Sequence, residues 1–530
     1  MHFRLLACCF LSLSLSLLLP GPVPAQSLAA SETHCLLLPL DPARRATQAT
    51  LVVEGEVLAS RGFWDAGHRR LYTAHRLRVF SSFKGNAPAE LTVLTEGGSV
   101  GLARQDLTNT LTLRPGQQGV LFLTPAAFPG TESAGSAWRA YGSQQGFIGY
   151  DLSAATAAEP FREYGLLTGA FYQTLTTATG QPRRVVQPNP GLAAALARAL
   201  APPVLARGQA PVINGLSPTA LPAGTGAVLT ISGTGFGAAR GAGSVEFRNA
   251  DNGGTSFVRP QESDYVGWAD TRIQVRVPSL GPAVAGALSP AGSGTVRVTT
   301  AEQLTATSPV ALTVPYAVSN VQLTTTNELL RPSPINQSGR GGYGFRLETG
   351  FASNAAAVRA FRNALATWRC QSGVNWEVEA TLRTGRGPAQ DGENSIGFDQ
   401  GAELPVNVLG RTTSYYQGCF RPDGGVAFSV QEIDMQFDDA TNWQFGPLPA
   451  ASVQLDFETV AVHELGHAQQ LAHVILPLAV MHYAIGRGRT NRAISPDDVT
   501  GGRLVLSTRG FVPQSCGPLP MLPAPLTSLA

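Results

Sequence analysis

The stretch His463-Glu464-Leu465-Gly466-His467-Ala468-Gln469-Gln470-Leu471-Ala472-His473 decides how the C-terminal part of the chain is read. His463 and His467 are four residues apart, so on a helix their imidazoles lie one above the other and can grip a single ion, with Glu464 beside that face. If the helix stops just after His467, the chain turns back and offers His473 as a third nitrogen. A fourth position then stays open for water, as a catalytic rather than a structural zinc site requires. Chance is a poor explanation in a chain with 8 His, since His463, His467, His473 and His482 all fall in this one region.

This pattern resembles that of the metzincin metallopeptidases, HExxHxxGxxH followed by a Met-turn, and Met481-His482-Tyr483 fits the turn. The short spacing from His473 to Met481 is similar to that of the matrixin branch. The resemblance implies an α+β zincin-type domain with one Zn2+ on His463, His467 and His473, and Glu464 as general base. Met481 would pack beneath the metal. It also implies a candidate oxyanion donor in Tyr483, two residues past Met481, where a similar tyrosine acts in astacin-type turns. The sequence departs from the pattern where Gln470 replaces the glycine of the turn. A non-glycine residue at positive φ costs roughly 1 to 2 kcal/mol there.

Upstream residues fit a domain over 320–510. Asn354 can cap a helix whose Val358, Phe361, Leu365 and Trp368 repeat at helical spacing. Short strands are expected at Gly344–Leu347, Trp376–Ala380, Ser395–Phe398, Leu409–Tyr416 and Glu432–Phe437. The strand near Leu409–Tyr416 is expected at an edge, where an extended peptide could add as a further strand. Asp456 is a candidate N-cap of the ligand helix, and Ser495 with Pro496 opens a last helix. The run Asp434 to Trp443 resembles the matrixin stretch that carries a structural zinc histidine and calcium carboxylates. Gln436 stands at the histidine position, which argues against a second zinc. Asp434, Asp438 and Asp439 leave Ca2+ open, with solvated turn acids as the equal reading.

Residues 1–25 read as a secretory signal: Arg4, an apolar run from Leu5 to Leu19, and a small-residue exit. That run is too short for a membrane span. Residues 26–200 carry strand signals for a β-rich N-terminal domain, running on to Gln173 and followed by a short helix near Gly191 to Leu200. His68 and His75 there read as solvated or edge histidines. Residues 211–315, with Ser232-Gly233-Thr234-Gly235-Phe236-Gly237, resemble an IPT/TIG immunoglobulin-like module, and short strands broken by Gly and Pro give a β-sandwich in any case. Residues 511–530 form a Pro-rich tail. Export makes disulfides plausible, and Cys370 with Cys419, in one domain, is the expected pair.

The formal charge of +2 points to no particular partner, and without a basic run or an aromatic-basic stripe no nucleic-acid partner is expected. The fold class is therefore multidomain: an N-terminal β domain, an Ig-like sandwich and an α+β metzincin-type domain. The expected function is a secreted or cell-surface zinc endopeptidase acting on extended peptides. The alternative is a surface adhesin or binding protein with an inactive peptidase domain, its β modules contacting a cell surface or extracellular matrix.

Overall fold

The computed structural model describes residues 36–131, 137–201, 210–281, 289–401, 403–508, 519, 521, 522 and 524. The signal expected at 1–25 and most of the tail at 511–530 lie outside the described residues.

The C-terminal region contributes most of an eight-stranded sheet, whose main run has the order Trp376–Val378, Tyr343–Leu347, Asn394–Phe398, Val426–Phe437, Gly410–Phe420. The first four run parallel and the last is antiparallel to its neighbour. Val426–Phe437 is buried along almost its whole length, as a strand covered on both faces must be. The helix Ala355–Ser372 begins where Asn354 accepts from the Ala357 amide at 3.1 Å. It buries Phe361, Leu365 and Trp368 as the spacing predicts. The ligand helix Phe457–Ala468 lies against it, and the Trp368 indole donates to the Val462 carbonyl at 2.8 Å. Nearly every residue of the ligand helix is buried, so it is a core element rather than a surface one.

Residues 212–312 form two facing four-stranded sheets. Ile213, Leu229, Ile231 and Val275 of one interleave with Val245, Phe247, Val296 and Val298 of the other, the alternation a sandwich requires. One contiguous apolar core runs from this sandwich through Val318 and Val321 into the peptidase-like region. The two are fused, not joined by a loose tether.

Residues 42–200 build a nine-stranded mixed sheet. Leu51–Trp64 pairs with both Leu71–Lys84 and Gln118–Pro125, which closes part of the sheet into a ring. Two helices, Gly169–Thr179 and Pro190–Leu200, pack on its outer face through Phe171, Leu175 and Leu192. The first was not foreseen, because its Thr174, Thr176, Thr177 and Thr179 favour strand on propensity. His75 is 1 % exposed, held between the Ser60 and Thr95 hydroxyls at 2.8 and 2.9 Å, so it is neither solvated nor at an edge. His68 is exposed.

Two expectations are corrected. The edge strand Gly410–Phe420 is not free: Ala103–Leu107 pairs along it, antiparallel from Thr413 to Gln417, with Gly98–Val100 beyond. The sheet thus runs on into a hairpin from the N-terminal region. Cys370 is a free thiol on the exposed side of its helix, two residues past the buried Trp368, so it faces away from the sheet and makes no bridge to Cys419.

Candidate active site

The ligand helix starts where Asp456, itself buried, accepts from the Thr459 amide at 3.0 Å and from Arg492 at 2.8 Å. It ends at Ala468, and Gln470 adopts φ +62°, the left-handed turn that the sequence demands of a residue other than glycine. Five hydrogen bonds hold that turn, one of them from the Gln470 side-chain amide to the Ala468 carbonyl at 3.2 Å. The Gln470 amide donates to His467 O at 2.8 Å, and its carbonyl accepts from Ser319 at 2.9 Å. Its side chain accepts from Tyr416 at 2.7 Å and donates to Ser414 at 3.3 Å. Each is worth about 1 kcal/mol, enough to offset the strain.

The turn brings His473 back over the helix. Its Nε2 lies 3.2 Å from Nε2 of His463 and 3.1 Å from Nε2 of His467. Three nitrogens on one tetrahedral ion at about 2.0 to 2.1 Å stand roughly 3.3 Å apart, so the spacing fits zinc. The opposite ring nitrogens are all engaged: Nδ1 of His463 with Val480 O at 2.7 Å, of His467 with Leu471 O at 2.9 Å, and of His473 with Asp251 Oδ1 at 2.7 Å. Each Nδ1 therefore carries the proton, and each Nε2 directs its lone pair to the common point. Burial, reinforced by repulsion from neighbouring imidazoles, pushes His467 down to about 3 and His463 well below its usual range. Both stay neutral, the form in which an imidazole can bind a metal.

Glu464 is fully buried beside this group. The Thr412 hydroxyl donates to its Oε2 at 2.5 Å. Burial pushes its carboxyl up to about 7, against the opposing hydrogen bonds from Thr412 and Thr108 and the charge of Arg411. A base that titrates near neutrality suits proton transfer at that pH. Met481 packs under the helix at Gly466, where any side chain would collide with its sulfur, so the glycine is required by close approach. Tyr483 comes to the same region, but its hydroxyl abuts Gly253 of the sandwich, again at a distance only glycine allows.

A cavity of about 660 Å³ opens in front of His467 and His473, and Thr108, Asn109, Asp251, Asn320 and Thr412 line its walls. Three of these residues escaped the sequence reading. Asp251 sits in a three-residue turn, Ala250–Asn252, whose only sequence signal is the run Asn249 to Gly254 of turn formers. Thr108 and Asn109 follow the unforeseen hairpin.

Of the expected calcium carboxylates, Asp438 and Asp439 converge with Asp399 to within 4.8 Å. Asp434 does not join them. It is fully buried and accepts from Ser395 N and Ala389 N at 2.9 and 3.0 Å, and burial raises its carboxyl despite the nearby Arg383. Gln436 donates to Glu403 at 3.0 Å.

The chain is similar to human matrilysin, 33% identical over 110 residues, which cover 20% of this chain and 37% of that protein. It thus spans little more than a third of that relative. Residues 211–314 match the family model of the IPT/TIG domain and residues 342–504 that of the matrixins, and the chain carries both an IPT/TIG domain and a matrixin metallopeptidase domain.

Proposed function

We propose that the chain is an exported zinc-dependent endopeptidase that hydrolyses extended peptide segments. The observation that carries this is the convergence of three imidazoles, each with its Nδ1 anchored, on one point beside the buried carboxyl of Glu464. Zinc bound there would supply Lewis acidity for the attacking water and the scissile carbonyl. Glu464 takes the proton of that water and returns it to the leaving amine. The Thr412 hydroxyl orients the carboxylate, and Tyr483 is the candidate donor to the oxyanion. Ca2+ at Asp399, Asp438 and Asp439 would be structural, tying the strand end after Phe398 to the loop after Phe437. No helix among the described residues is long and apolar enough to cross a membrane.

The adhesin alternative would need an inert site, and the ordered surroundings of Glu464 weigh against it. Metal analysis of the purified chain, combined with chelator-sensitive cleavage of an unfolded protein, tests the proposal. One equivalent of zinc with cleavage supports it; zinc-free protein after loading, or cleavage indifferent to chelator, overturns it.

A further inference from the structure

We infer that Asp251, contributed by the IPT/TIG domain, is a positioning residue of the metal centre, which accepts a hydrogen bond from the Nδ1–H of His473 and holds that imidazole in the ligand group. This rests on the reading of the three histidines as ligands. His463 and His467 sit on one rigid helix and direct Nδ1 to main-chain carbonyls of their own domain. His473 lies beyond the Gln470 turn, and the acceptor at 2.7 Å from its Nδ1 is a carboxylate from a residue 222 positions earlier in the chain. A charged acceptor fixes the ring and raises the basicity of its other nitrogen more than a carbonyl does.

The turn that carries Asp251 is itself built. The Asp251 amide donates to Asn249 Oδ1 at 2.9 Å, Ser256 Oγ accepts from Asn249 and Asn252 at 3.0 and 2.7 Å, and the Ala250 amide donates to Pro290 O at 3.0 Å. Around it the two domains interlock: the Ile475 side chain lies against Gly254 and Gly292, and Tyr483 against Gly253. The IPT/TIG domain thus completes the site instead of spacing it from something else.

The test is zinc affinity of the full chain, measured by chelator competition, for the parent, Asp251→Asn and Asp251→Ala, with apo-protein melting and the visible spectrum of the Co2+-substituted forms alongside. Asp251→Ala should hold zinc about 10- to 100-fold more weakly, with Asn between, because Asn still accepts a hydrogen bond but carries no charge. The Co2+ bands should shift in the same order. Ala and Asn variants that bind zinc within threefold of the parent overturn the inference, as does a loss of apo stability with affinity unchanged. A parent that binds no zinc overturns the peptidase reading itself, so the two failures are distinct.

A separate observation, the strand on the cleft edge, carries a second proposal: Ala103–Asn109 is a resident competitor for substrate. A peptide carbonyl within reach of Glu464 and the histidines must lie beside Thr412, because Thr412 is the edge-strand residue that touches Glu464. At Thr412 the places of a substrate main chain are already filled. The Thr108 amide donates to Thr412 O at 3.0 Å, Thr108 Oγ1 accepts from Thr412 N at 2.9 Å, and Asn109 donates to Gly410 O at 2.9 Å. Arg411 on the edge strand pairs with Glu96 at 2.8 Å, clamping the base of the hairpin.

The hairpin turn at Gly101 is exposed, with open space around it. A site-specific protease sequence inserted there lets the folded, zinc-loaded chain be cut without unfolding it. Hydrolysis of an unstructured fluorogenic peptide should rise on cutting by roughly fivefold or more, since the competent fraction limits the apparent affinity. Asp106→Pro, which removes an amide that faces Ser414 across the ladder, should raise it likewise. A cut chain that keeps its zinc and hydrolyses the peptide no faster than the uncut one overturns the proposal.

Discussion

The Tyr416 hydroxyl donates to Gln470 Oε1 at 2.7 Å, both groups buried, and this bond joins the cleft strand to the one turn on which the third histidine depends. Gln470→Gly relieves the positive φ but leaves the Tyr416 hydroxyl and Ser414 short of a partner. A buried group left unpaired costs roughly 1 to 3 kcal/mol, against about 1 to 2 kcal/mol of strain relieved. Denaturant unfolding should rank the parent above Gln470→Gly, by about 1 kcal/mol, and Gln470→Ala lowest, since alanine keeps the strain and loses the bonds. A glycine variant more stable than the parent would mean that the side-chain bonds do not offset the strain.

Metal binding and chemistry should fail separately. Glu464→Gln keeps every nitrogen in place, so zinc content should hold while turnover falls by roughly two to four powers of ten. His463→Ala, His467→Ala and His473→Ala should each lose the metal or bind it far more weakly, and activity with it. Because the Gln470 turn is made, His473→Ala is expected to behave like the other two. A His473→Ala protein with the zinc affinity of the parent would remove His473 from the ligand set.

Tyr483→Phe keeps the ring that packs against Gly253 and deletes the hydroxyl. If that hydroxyl supports the oxyanion, kcat should drop on the order of a hundredfold with KM and thermal stability little changed. Unchanged turnover assigns Tyr483 to packing at the domain junction.

Acid should weaken the N-terminal sheet through His75. Burial lowers its folded pKa to about 4, while the unfolded chain titrates near 6.5. The unfolded state therefore binds the extra proton between these values. Stability from this group is complete above about pH 6.5 and is lost as pH falls toward 4, by roughly 3 kcal/mol in all. Melting curves of the parent and His75→Gln between pH 7 and pH 4.5 should converge on the acid side. Parallel curves would show that His75 protonates in the folded state at no cost.

Cys370, free and exposed, should react with a maleimide in the native protein, and Cys370→Ser should abolish that labelling. A native chain that resists the reagent would show that this thiol is not free.

The local signals in the sequence were legible wherever one element carries its own pattern. The ligand helix with its Asp456 cap, the Ala355–Ser372 helix with its Asn354 cap, and the Ser495–Asp498 capping box all stand where spacing and cap chemistry put them. Residues Gly98–Val100 and Ala103–Leu107 gave no such signal: two strands this short, with Arg104 and Asp106 in the second, show no apolar period. Their partner lies far along the chain, and pairing over that distance leaves no trace in a window of residues. Asp251 was hidden for the same reason. A polar turn on one domain reads as solvated until the other domain is seen against it.

The hairpin also fixes an order of events. Asn109 precedes its partner Gly410 by 301 residues, and Glu96 precedes Arg411 by 315. At about 5 to 20 residues per second, the N-terminal sheet has roughly 15 to 60 s of synthesis in which to fold before the cleft strand exists. The peptidase-like region is then completed against a strand already waiting for it. The edge of Gly410–Phe420 is therefore covered by residues that were synthesised 301 to 315 positions before it.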